Sequence, residues 1–295
     1  MKLTLGPIPF LWEKERIQKF YKEVADTPLS VVYLGEVVCN KRALLDPEDW
    51  AEIARGLERA GKAVVLSTLG IMTHEGEMAE MESLCSLPYP VEVNHMGVLN
   101  RFLGEPRDFI AGPHIAVYNG HAARFLRGLG VRRMVFMPEL ARESMVSVCE
   151  EAPEIEKELI VYGHLPLAFS WRCYTARAMD LAKDNCGIVC RKYPEGMPLD
   201  TLDGQPIFNL NGTQLVSAQK HCLLEHLESV REMGVEYLRI IPQVEGTAGI
   251  VDLFHRTLSG HLTGGQAMER LSPYLPFGNG WFFGRPGWEY VGAGR

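Results

Sequence analysis

The sequence predicts the α/β class, a (β/α)8 TIM-like barrel with an irregular cysteine-bearing insertion after the seventh strand. Three observations carry this. Short apolar runs alternate with amphipathic helical patterns along most of the chain. Eight such runs are present. They are near-continuously apolar, as strands are when helices cover the sheet. Eight βα units fit a barrel, which takes about 250 residues, and the 295-residue length leaves room for an insertion. A doubly wound open sheet is the competing architecture.

The elements follow in order. "KLTLGPI" reads as a strand and "EKERIQKFYKEVA" as a helix; "LSVVYLGE" is the second strand. "DPEDWAEIARGLERAG" opens with an aspartate cap and a proline at the first helical position, and ends on a glycine. "AVVLSTL" is a strand and "EGEMAEMESLCSL" a helix; "VEVNHMGVLNRFL" is a strand running into a short helix. "HIAVYNG" is the fifth strand, followed by helix "AARFLRGLG", strand "RMVFMPEL" and helix "RESMVSVCEEA". "KELIVYGHLPLAF" is the seventh strand. Much later come helix "KHCLLEHLESVREMG", strand "VEYLRIIPQ" and helix "GIVDLFHRTLSG". One barrel domain over residues 1–295 is expected.

The rhythm breaks over residues 170–219. No helix of normal length appears there, and a short hairpin is expected around Asp203 and Gly204. An irregular insertion of this length in a compact domain is usually functional. It follows the seventh strand, on the carboxyl rim where barrel enzymes keep their sites. The tail, about residues 276–295, is rich in glycine and aromatics and reads as a segment packed on the barrel or as a partner-protein surface.

A formal net charge of -7 lacks the electrostatic footprint of a nucleic-acid binder. Gly6, Pro7 and Pro9 interrupt any signal-peptide core, and no run reaches the roughly 18 apolar residues of a membrane span. A cytoplasmic location is therefore expected. In that reducing setting, clustered cysteines point to metal binding or catalysis rather than disulfides.

Three of the seven cysteines, Cys173, Cys186 and Cys190, fall within one twenty-residue stretch. Three thiolates need a fourth ligand to close a tetrahedral or cubane site. Cys85, Cys149 and Cys222 lie in helical patterns among Leu, Val and Met, where cysteine serves as a small core hydrophobe. Cys39 instead follows the second strand, on the same rim as the insertion. The set Cys39, Cys173, Cys186 and Cys190 suits Zn²⁺ or an iron–sulfur cluster. Unrelated reduced thiols are the plainer alternative. Arg172, Arg177, Arg191 and Lys192 would offset the negative charge of a thiolate-bound cluster, or form a solvated loop.

"YGHLPLAFSWRCYTAR" followed by "CGIVC" resembles the signature of the collagenase-like peptidase family U32. With "LGPIPFLW", "VVYLGEVVCNKR" and the Asn-Gly of "FNLNGTQ", the chain resembles, over its whole length, the branch of that family acting in oxygen-independent ubiquinone biosynthesis. Most of the family places a first cluster cysteine seven residues before Cys173. Here that position is Pro166, and the branch uses a cysteine near the N-terminus instead, matching Cys39. The resemblance implies a [4Fe–4S] cluster on Cys39, Cys173, Cys186 and Cys190. It implies a heterodimer with a sister protein of the family and a lipid-binding partner that presents a prenylated aromatic precursor. It further implies ring hydroxylation with prephenate as oxygen donor.

Polar residues at strand ends could line a substrate pocket. Glu36 and His164 lie within the resembled motifs and are the first candidates for proton transfer. Asn94, His95, His114, Asn119, Glu139, Arg239 and Gln243 are secondary ones. No nucleophile elbow, HExxH or Walker loop is present, so no peptidase activity is expected. The alternatives are an RNA-base hydroxylation protein of the same family and a zinc-stabilised scaffold without redox chemistry.

Overall fold

A computed structural model describes residues 1–274 and 276–293. The barrel half of the chain runs β1 (Lys2–Leu5), α1 (Lys14–Ala25), β2 (Val31–Leu34), α2 (Pro47–Arg59), β3 (Ala63–Ser67), α3 (Glu75–Cys85), β4 (Val91–Val93) and α4 (Met96–Arg101). It continues through β5 (Phe109–Ala111), α5 (Gly120–Gly128), β6 (Val131–Val135), α6 (Arg142–Glu151) and β7 (Glu156–Gly163). The insertion carries β8 (Pro166–Phe169), α7 (Tyr174–Ala178), β9 (Met197–Asp200), β10 (Pro206–Asn211) and β11 (Gln214–Ser217). The remainder is β12 (Lys220–Cys222), α8 (Leu227–Glu232), β13 (Tyr237–Ile240), α9 (Thr247–Leu258), α10 (Gly264–Leu271) and β14 (Phe277–Gly278).

Eight parallel strands close the barrel in the order β1 to β7 and then β13, which pairs with both β7 and β1. Leu238 of β13 sits opposite Leu3 on one side and Leu159 on the other. The main apolar core lies between the strands and the helices, around residues such as Leu5, Leu34, Leu66, Phe136 and Phe254. The amphipathic helices supply its outer half: α1 buries Ile17, Phe20, Tyr21 and Val24, one stripe of a 3.6-residue repeat. The start of α2 is as the sequence indicates. Asp46 accepts from the Asp49 amide, Asp49 returns a bond to the Asp46 amide, and Pro47 opens the helix.

Three elements differ from the sequence reading. The fifth strand is Phe109–Ala111, upstream of "HIAVYNG". Gly112 and Pro113 end it, because proline has no N–H for the ladder, and 114–119 becomes the loop into α5. The run after β7 divides: His164 and Leu165 leave the barrel, and β8 joins a separate antiparallel sheet in the order β8-β11-β10-β9. "KHC" opens not a helix but β12, antiparallel to β7. The expected hairpin is present, with β9 and β10 meeting across Asp203 and Gly204.

The tail packs on the barrel. Phe277 and Phe282 are buried, β14 pairs with β12, and the Asn279 side chain bonds the backbone of Cys222 and Val291. The last two residues of the tail, 294 and 295, lie outside the described residues.

Candidate metal centre and barrel mouth

Gly35 follows β2 at φ +138°, and a Cβ there would stand 2.2 Å from the Ser67 carbonyl oxygen. Only glycine allows the chain to turn outward so close to β3. Glu36 follows and accepts from the amides of Val38 (2.7 Å) and Cys39 (3.1 Å). Burial pushes the Glu36 carboxyl up, while Arg42 and these amides pull it back. Its role here is to shape the turn that presents Cys39.

Cys39 then caps a short 3₁₀ turn, Asn40–Arg42. Arg42 is buried, and its Nη1 donates to Asn211 Oδ1 (2.8 Å) while its Nε has no partner among the described residues. Asn211 also donates to the Pro9 carbonyl (2.7 Å). Gly212, at φ +66°, leaves the space a Cβ would take to Arg42 Nη2, 2.6 Å away. The Gly212 carbonyl receives the Tyr174 amide (2.7 Å), and Thr213 Oγ1 donates to the Val38 carbonyl (2.5 Å). The Asn-Gly turn thus binds the Cys39 segment to the start of α7.

Cys173 is the cap of α7, its sulfur 3.4 Å from the Ala176 amide. Cys186 ends the 3₁₀ turn Lys183–Asn185, and Cys190 lies in the next one, Val189–Lys192, which packs on α7. Lys41 Nζ ties the Cys39 segment to the Lys183 carbonyl at 2.8 Å. Burial raises the Cys39 thiol, and the nearby Cys173 sulfur adds to that rise. All four thiols are free and half-buried. Their segments meet on one rim, but no three Cys, His, Asp or Glu side chains among the described residues are gathered into a cage for one ion. The donor set fits a four-thiolate centre in its chemistry, soft ligands of the kind that select zinc or iron–sulfur clusters. The charge of buried Arg42 lies close enough to Cys39 to favour its thiolate. Cys85 and Cys222 differ: both are fully buried, and burial pushes each thiol up to about 12.

Beside this rim lies the barrel mouth. His164 is buried, its Nδ1 2.8 Å from the Ser217 carbonyl, and burial pulls its pKa down to about 4. It lines a cavity together with Glu92, Asn94, His114, Gln214 and Arg239. Burial, assisted by Arg239, lowers His114 to about 3. Other strand-end candidates have structural duties. His95 caps α4, Asn119 caps α5, and Gln243 bonds Thr247 and the Ile241 carbonyl. Glu139 accepts from Tyr118.

Arg239 and Glu92 of the cavity wall belong to a buried charged network, of which the sequence reading named only Arg239. Arg239 donates to Glu92 Oε1 (2.6 Å) and Glu158 Oε1 (2.8 Å), all three at 0–1% exposure. Thr4, Tyr33 and Arg133 also meet Glu158, and Ser67 meets Glu92. Burial alone would raise Glu158; Arg239 and Arg133 outweigh it and hold the carboxyl below its usual value. The signal was present as charges inside apolar runs, in "VEV", "RMV" and "KELIV".

A sequence model of peptidase family U32 matches residues 12–272. The chain belongs to peptidase family U32. This U32 chain is 24% identical to the tRNA hydroxylation protein P1 of Bacillus subtilis over 78% of its own length and 58% of that protein's. It therefore spans little more than half of the length of that curated relative. Solved structures that resemble it include an uncharacterized B. cereus protein (TM-score 0.46, 10% identity, 85% of this chain and 63% of the other). Another is a U32 peptidase (TM-score 0.43, 13% identity, 83% and 95%). No helix among the described residues is long and apolar enough to cross a membrane.

Proposed function

We propose that this U32 chain is a UbiV-type protein, a [4Fe–4S] component of the oxygen-independent hydroxylation of the ubiquinone precursor ring. It would act as a heterodimer with a UbiU-like sister, with a UbiT-like lipid-binding partner presenting the prenylated precursor and prephenate as oxygen donor. The observation that carries this reading is the arrangement of Cys39, Cys173, Cys186 and Cys190 as free, half-buried thiols on segments tied together at one barrel rim. Membership of U32 and a relative named for hydroxylation support the reaction class. Proline at residue 166, with Cys39 on the rim, supports the branch.

These four cysteines would hold the cluster. With every iron position filled by protein thiolate, such a group supplies electron transfer rather than Lewis acidity. The chain's own residues do the rest. Glu36 fixes the Cys39 amide, Arg42 places a buried cation near Cys39, and the Asn211–Gly212 turn aligns Cys39 with Cys173. Pro166 of β8 and Gln214 and Val216 of β11 line one side of the barrel mouth.

The test is anaerobic purification with iron and sulfide assays and a UV–visible spectrum, for wild type and Cys39→Ala. The reading expects a brown protein with a shoulder near about 400 nm that the variant loses or weakens. A protein that stays colourless after reconstitution, or that takes up zinc, refutes the redox role. RNA-base hydroxylation is the second reading, favoured by the name of the Bacillus relative. The net charge of -7 weighs against it. A gel shift with tRNA at moderate salt separates the two: retarded tRNA favours the second.

A further inference from the structure

Residues 171–192 differ from the rest of the chain in charge. They hold Arg172, Arg177, Lys183, Arg191 and Lys192 against Asp180 and Asp184, a net charge of +3. The whole chain stands at -7, so everything outside this stretch stands at -10. Within the stretch, Arg191 pairs with Glu13 and Asp184 with Lys41. Lys183 lies over the Trp171 ring, its Nζ 4.5 Å from the centre. Arg172 and Arg177 are exposed and form no ion pair among the described residues.

These two arginines share a surface cleft of about 580 Å³ with Trp171, Cys173, Leu181 and Lys183. Trp171 is 47% exposed and Leu181 40%. The cleft therefore joins uncovered apolar surface to unpaired guanidinium groups. Tryptophan and arginine together are the composition of a protein-docking patch.

Charge selects the occupant. An acidic protein is repelled by the rest of the chain and drawn to this face. A nucleic acid fits less well, because a long polyanion would run off a patch of this size onto acidic surface. Position selects its chemistry. Cys173 stands in the cleft wall, and Cys186 and Cys190 follow within the same stretch. A protein seated in the cleft touches the first of these thiols directly.

We propose that this cleft docks a small acidic electron-carrier protein. Its purpose rests on the cluster reading given above; its binding does not. Trp171 and Leu181 meet the apolar rim of the carrier's redox group, and Arg172 and Arg177 meet the carboxylates around that rim. One electron leaves the reduced carrier, which is oxidised, and enters the four-thiolate centre, which is reduced. No atom or proton moves with it.

The experiment titrates the full chain, iron-free and iron-loaded, with an acidic flavodoxin in a calorimeter. An acidic calcium-binding protein of similar size and charge, without a redox group, is the control, and tRNA is a third probe. Flavodoxin is expected to bind one to one at low salt, at least about tenfold tighter than the control. Raising salt from about 20 mM to about 300 mM should weaken it at least about tenfold. Arg177→Glu and Trp171→Ala should each do the same at low salt. Circular dichroism checks that both variants fold; if Trp171→Ala does not, Arg177→Glu decides. A variant that takes up less iron is compared with wild type in the iron-free form. No binding by wild type, binding that neither variant weakens, equal binding of the control, or tighter binding of tRNA each overturns the proposal. Docking on a chain that never takes up iron keeps the surface and removes the cluster reading. Iron uptake without docking does the reverse.

Discussion

His164 shows how a sequence motif can place one side chain while its surroundings stay hidden. Its position beside the mouth was legible from "YGHLP", because it directly follows a strand whose carboxyl end opens onto the rim. Its chemistry was not, because burial sets it: the ring is tied to the Ser217 carbonyl and takes a proton only near pH 4. His114, at about 3, and His221, at about 4, are lowered by burial in the same way. The unfolded chain protonates these rings near pH 6.5. Their contribution to folding is therefore complete above about pH 6.5 and is lost as pH falls toward 4, at up to about 1.4 kcal/mol per pH unit for each ring. Urea unfolding at pH 7, 6 and 5 should show falling stability, with a shallower fall in His164→Gln. Equal slopes for variant and wild type would remove His164 from that account. Glu36 is a similar case. The residue was legible as a strand-end carboxylate, but its bonds to the Val38 and Cys39 amides became visible only once the turn was built.

At the scale of elements, what was legible depended on local chemistry. The N-terminus of α2 could be read because Asp46, Pro47 and Asp49 carry their own instructions within four residues. Asp46→Ala should lower stability by about 1 kcal/mol, measured as a reduced urea midpoint at unchanged slope; no change would mean that the reciprocal bonds contribute nothing. The fifth strand was misplaced because "HIAVYNG" carries the stronger apolar pattern, whereas "FIA" is only three residues long. Pro113 and the closure of the barrel decide between them. β12 was hidden for a different reason. "KHC" gains strand geometry from long-range pairing with Gly163 and Tyr162, and no local pattern reports that. The insertion was legible as irregular, and its hairpin was found. Its four-stranded sheet was not, since β8 reads as an extension of β7 until the chain is seen to turn at His164 and Leu165.

For the whole molecule, the count of eight strands was legible and the interior of the barrel was not. Thr4, Tyr33, Ser67, Glu92, Arg133, Glu158 and Arg239 come from seven of the eight barrel strands and meet in one network. Arg239 is its hub. Arg239→Met would leave Glu92 without its buried cation and Glu158 with Arg133 alone, and should lower stability by about 3–5 kcal/mol. Adding Glu92→Gln and Glu158→Gln to that variant should restore part of it, read again by urea unfolding. A single variant as stable as wild type would show that the network does not brace the barrel. The order of the strands along the chain gives this hub a further meaning. Glu92 and Glu158 leave the ribosome long before Arg239, which lies on the last barrel strand to be made. Until β13 emerges, the nascent sheet has two carboxylates and Arg133 on its inner face and no strand to join its two edges. Closure and charge balance therefore arrive together, so the unfinished barrel is held open to chaperones and proteases until β13 has been synthesised.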